Sequence, residues 1–89
     1  MNIGRLVATR SIAVKIREKE YLAMGIAEAL ERYRKHDWGE ASEDSKRMND
    51  EALTTKDDIL GVYTIGDEKI WIMTDAGHEV TTILLPDDY

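Results

Sequence analysis

The chain has 89 residues, 43% apolar and 34% charged, with a formal net charge of −6 and no cysteine. That length supports one domain with a modest core, and the composition lies outside the weakly apolar, highly charged regime of disordered chains. Without cysteine the chain can form no disulfide, zinc finger, iron–sulfur ligation or thiol nucleophile.

The charge is polarised along the sequence. Residues 1–36 carry eight basic and four acidic side chains (+4), whereas residues 37–89 carry four basic and fourteen acidic ones (−10). Phosphate would be repelled by the second half, so direct nucleic-acid binding is not expected there. The opening MNIGRLVATR lacks the basic-then-apolar pattern of a signal peptide. No apolar run approaches the roughly 20 residues that cross a bilayer. The expectation is a cytoplasmic protein with no membrane partner.

In chain order, residues 3–8 (IGRLVA) form a short apolar run that reads as an edge strand or a packed arm. Thr9, Arg10 and Ser11 then offer N-cap chemistry for a helical start. Over residues 16–35, Leu22, Ile26, Ala29, Leu30 and Tyr33 recur at steps of three and four, which predicts one amphipathic helix. Glu28 with Arg32, and Glu31 with Lys35, form i,i+4 pairs on its other side. Gly25 inside this helix implies close packing of another element.

The stretch KHDWGEASEDSKRMND, residues 35–50, reads as a joint. The first helix ends near His36, Gly39 supplies a left-handed residue, Ser42 is the N-cap of a second helix, and Trp38 wedges between the two. Three antiparallel strands follow, at residues 59–65, 69–74 and 79–85, separated by turns at Gly66-Asp67 and Gly77-His78. Ile70 and Ile72 alternate with Trp71 and Met73, so both faces of the middle strand are apolar and it should be central or covered on both sides. The expected fold is α+β: an N-terminal strand or arm, two helices, then a three-stranded antiparallel meander packed on them. Trp38, Trp71, Tyr63 and Tyr89 are expected to cluster. If residues 3–8 or 59–65 form an exposed edge, a strand-paired homodimer becomes available to the monomer.

No catalytic, cofactor or metal motif is present. The two histidines, His36 and His78, lack a second imidazole at ligand spacing, and the carboxylate pairs Asp57-Asp58, Asp67-Glu68 and Asp87-Asp88 fall in turns or near the chain end. The residues offered for partner binding are therefore acidic ones, Asp37, Glu40, Glu43, Asp44, Asp50, Glu51, Asp57, Asp58, Asp67 and Glu68. Tyr21 and Tyr33, twelve residues apart on the predicted helix, join them as aromatic anchors.

Several stretches together carry a resemblance: LVATR at 6–10, DWG at 37–39, NDEAL at 49–53, KIWI at 69–72, Thr74, and VTTIL at 80–84 leading to Pro86 and Tyr89. In these the chain resembles short proteins of phages, plasmids and conjugative elements that are labelled "plasmid-related protein" or, mistakenly, a restriction-system subunit. It departs from them at Gly77-His78, where an Asp-Arg pair is expected. The resemblance implies a mobile-element setting. Small acidic proteins of such elements inhibit host defence complexes, as anti-CRISPR and anti-restriction proteins do, and the −10 half could compete for a basic nucleic-acid groove on one. The competing expectation is a small ribonuclease toxin of the barnase or RelE type, for which residues 59–85 offer only Lys69, His78 and Glu79. A regulatory or structural accessory protein is the third.

Overall fold

The elements follow the chain as β1 (Arg5–Ala8), α1 (Arg10–Glu18), α2 (Tyr21–Arg34), α3 (Glu43–Thr55), β2 (Ile59–Ile65), β3 (Glu68–Thr74) and β4 (Val80–Leu84), closed by a 3-10 turn at Pro86–Asp88. The computed structural model describes residues 1–89. The fold is α+β, and the antiparallel β2–β3–β4 meander forms where the alternation predicts it.

The sheet has one more strand than the meander. β1 pairs in parallel with β4, giving the order β1-β4-β3-β2, so the sheet is mixed and four-stranded and β3 is internal. The physical reason is the free edge of β4, which the N-terminal run satisfies: Arg5 N–H donates to the Glu79 carbonyl at 2.8 Å and Thr9 N–H to that of Ile83 at 3.0 Å.

The expected first helix is two helices. Lys19 adopts an extended conformation (φ −132°, ψ 99°) between α1 and α2. Residues 19–21 are held by the β2–β3 turn, where Lys19 Nζ donates to Glu68 at 2.7 Å and Tyr21 Oη to Asp67 at 2.7 Å. No glycine or proline marks this break, because tertiary partners supply it. Thr9 caps α1 by accepting from Ile12 N–H, as its hydroxyl predicts. Gly25 faces the Ile65 side chain, which occupies the space a Cβ would need.

α1 and α2 cover one sheet face. Strand alternation puts Ile59, Tyr63, Ile70, Ile72, Thr74, Thr81 and Ile83 on that face, where they are buried with Ile12, Leu22, Ile26 and Tyr33. Three hydroxyls cross this core in series. Thr81 donates to the Ile3 carbonyl at 2.7 Å, Thr74 and Thr81 are 2.7 Å apart, and Tyr33 and Thr74 are 2.6 Å apart. Each hydroxyl has a single proton, so the chain must run Tyr33 to Thr74 to Thr81 to Ile3. Burial pushes the Tyr33 phenol up to about 12, which keeps that proton in place.

The outer edge of β2 is closed. Val62 N–H donates to the Trp38 carbonyl at 3.1 Å, and Glu40 N–H donates to the Val62 carbonyl at 2.7 Å. The Asn49 side chain on α3 mimics a further strand residue, donating to the Leu60 carbonyl at 2.8 Å and accepting from Leu60 N–H at 3.2 Å. Residues 59–65 therefore do not offer the open edge that a strand-paired dimer needs.

Candidate partner-binding site

The same alternation that buries one face points Leu60, Val62, Trp71, Met73 and Thr82 to the other, where they are half-buried. No helix lies across this face. Its cover consists of α3 along the β2 edge and Tyr89, whose ring stands 5.9 Å from that of Trp71. Between them runs a groove of about 300 Å³, lined by Ser45, Met48, Asn49, Asp58, Leu60, Trp71, Met73 and Tyr89 among others. Met48 is 62% exposed and Tyr89 80%. The groove offers few free polar groups, because the Asn49 amide is engaged by Leu60 and Asp58 Oδ1 accepts from Ala76 N–H at 2.7 Å. It is suited to apolar contact and not to acid–base chemistry.

α3 sets one wall. Ser42 begins it by accepting from Ser45 N–H at 3.1 Å, with Glu43 and Asp44 in the first turn as the helix dipole favours. Asp44 and Glu51 stand four residues before and three after Met48, so both flank it on the helix surface. Asp58, just before β2, also lines the groove. Of the nominated acids, Asp58 lines the groove and Asp44 and Glu51 stand within one helical turn of Met48 on its α3 wall.

The others are placed elsewhere. Asp67 sits in the β2–β3 turn and Glu68 opens β3; Tyr21 and Lys19 hold the Asp67 carboxyl, and Lys19 and Lys15 that of Glu68, below the ordinary range. Asp37 lies 2.8 Å from the Arg32 guanidinium, which together with Gly39 N–H holds it low. Glu40 is held low by hydrogen bonding to Thr64 and by Lys69. Glu43 pairs with Lys46 within α3, as Asp44, beside the groove, does with Arg47, and Asp57 accepts from the Thr55 hydroxyl. Asp50 accepts from the Trp38 indole at 2.9 Å.

Tyr33 is no surface anchor: it is fully buried, because the Thr74 hydroxyl gives its phenol a partner inside the core. Tyr21 is 47% exposed, with its hydroxyl engaged by Asp67. The aromatics also divide. Trp38 and Tyr63 belong to the helix-covered core, whereas Trp71 and Tyr89 lie on the opposite face, since residues 63 and 71 have opposite orientation in the β2–β3 register.

Residues 35–42 are a joint, built differently from the expected one. His36, at φ +67°, is the left-handed residue that ends α2; its N–H donates to the Tyr33 carbonyl and that of Asp37 to the Arg32 carbonyl. Gly39 is left-handed for another reason, its approach to the Val62 carbonyl, which a Cβ would obstruct. Trp38 is buried beneath His36, which stacks on it at 5.7 Å. His78 is buried, with Nε2 2.8 Å from the Asp57 carbonyl. Lys69 lies near the start of β3 and His78 in the connection that follows its far end, so the two are not brought to one site.

Sequence reasoning did not nominate the groove residues Met48, Trp71, Met73 and Tyr89. The usable signal was the two-sided apolar pattern of β3 combined with too few helices to cover both faces. Comparison of the chain with protein-family models, with curated proteins and with solved structures finds no match.

Proposed function

We propose that the protein is a non-enzymatic binding protein that seats a basic protein partner on its open sheet face, and that in the mobile-element setting its resemblance implies the partner is a host defence complex. The observation that carries this reading is the apolar groove, lined by Asp58 and with Asp44 and Glu51 one helical turn from Met48 on its α3 wall. Partner surfaces combine an apolar centre that excludes water with a polar rim that steers and orients. Here the centre is Met48, Trp71, Met73 and Tyr89, and the rim is acidic. A partner surface that normally holds nucleic acid has the complementary charge, and occupying it would block the nucleic acid.

The test uses tagged wild-type protein and a Met48→Lys variant, each mixed with purified restriction or CRISPR effector complexes at low and high salt, with DNA cleavage assayed in parallel. Wild type is expected to be retained at low salt and to suppress cleavage; Met48→Lys should do neither, and high salt should weaken retention. Undiminished cleavage by every complex tested would refute the inhibitor reading. Degradation of cellular RNA on expression would replace it with the toxin reading.

A further inference from the structure

The two sheet edges are treated unequally. At β2 the outward backbone groups of Leu60 and Val62 are all taken by Asn49, Trp38 and Glu40. At β1, Arg5 and Thr9 direct their N–H groups to β4, so by strand alternation Leu6 and Ala8 direct their N–H and C=O groups away from the sheet. No strand lies beyond β1, and Leu6 is 42% exposed.

We propose that β1 is the pairing edge for a second copy of this chain, in a two-fold antiparallel β1–β1 contact centred on Val7. A symmetric contact through a single edge must be antiparallel, because the two-fold axis reverses the strand. Only Leu6 and Ala8 have outward backbone groups within β1, so the register that uses all of them pairs Leu6 of one copy with Ala8 of the other. Centring on Leu6 instead would call on Gly4, whose φ of +62° takes it out of the strand and whose N–H is bound by Asn2.

The Val7-centred register also brings complementary charges together. It sets Arg5 of one copy opposite Thr9 of the other, and the Thr9 hydroxyl holds the Asp88 carboxylate at 2.7 Å. Arg5, like Arg10, Arg17, Arg34, Lys35 and Lys56, forms no ion pair within its own chain, and of these it is the one that this register sets beside a carboxylate of the other copy. The dyad thus repeats one Arg5–Asp88 pairing twice, at the two ends of the contact, and covers the exposed Leu6 side chains. Two four-stranded sheets become one of eight.

The experiment is sedimentation velocity of the full chain over roughly 10 μM to 1 mM, where contacts of a few residues associate. Wild type is expected to pass from monomer to dimer with concentration. Arg5→Glu sets like charges opposite each other and should weaken the dimer at least tenfold. Ala8→Pro removes an outward N–H that β4 does not use and should do the same, while circular dichroism reports that both variants keep the fold. A monomer at every concentration overturns the proposal, as does a dimer that both variants retain. A dimer lost on Met48→Lys but intact in Arg5→Glu also overturns it, by placing the contact at the groove.

Discussion

The two faces of the sheet are made by the same strands yet are governed by different rules. On the helix-covered face, every buried side-chain polar atom has a partner, and Tyr33, Thr74 and Thr81 form a directed hydroxyl chain among fully buried isoleucines. On the other face, Trp71, Met73, Leu60 and Val62 are half-buried, flanked only by α3 along the β2 edge and by Tyr89. Close-packed interior and unoccupied apolar surface thus lie one residue apart along β3. The covered face answers to folding, and the open one to whatever docks there.

Neighbouring residues on β3 test this contrast most sharply. Ile72→Ala, on the covered face, is expected to cost about 2–5 kcal/mol in urea unfolding, because a fully buried isoleucine leaves a cavity that packed neighbours cannot close. Met73→Ala, on the open face, should cost about 1 kcal/mol or less, since solvent already reaches the site. Equal losses would mean that the two faces are packed alike.

A second break lies in the hydroxyl chain. Thr81→Val keeps the shape but leaves the Ile3 carbonyl without its donor, at an expected cost of about 1–3 kcal/mol, with faster amide exchange in β1 as the local readout.

Alkaline titration reads the same face more gently. Burial raises the Tyr33 phenol to about 12, and Tyr63 is raised as well, while unfolded tyrosine ionises near 10. Because the folded values lie above the unfolded one, this contribution is complete below about pH 10 and is lost as pH rises toward 12. The melting temperature should therefore fall over that interval, less steeply in Tyr33→Phe.

The smallest expected effect on stability belongs to the open face. Met48→Lys, at a position 62% exposed, should stay within about 0.5 kcal/mol of wild type in urea unfolding while abolishing partner capture. Retained binding would detach the groove from function.

Much of the local structure was legible in the sequence. The three meander strands, the Ser42 and Thr9 caps and the close contact at Gly25 follow from alternation, side-chain oxygens and the missing Cβ. The α1–α2 break was not, since nothing near Lys19 disfavours a helix and the causes, Asp67 and Glu68, lie some 50 residues away in sequence. For the candidate site, composition supplied the acids Asp44, Glu51 and Asp58 but not their grouping, and it offered Tyr33 to the surface when a threonine 41 residues away holds it inside.

What the sequence by itself determined is whatever depends on near neighbours: the periods of helix and strand, the caps, the turns and the chemistries that an absence of cysteine forbids. Only the tertiary structure decided which apolar face acquired a cover, which carboxylates met lysine or arginine, and which sheet edge was closed. Those outcomes depend on contacts between residues far apart in the chain, whose pairing no local pattern specifies and which only the joint packing of all elements selects.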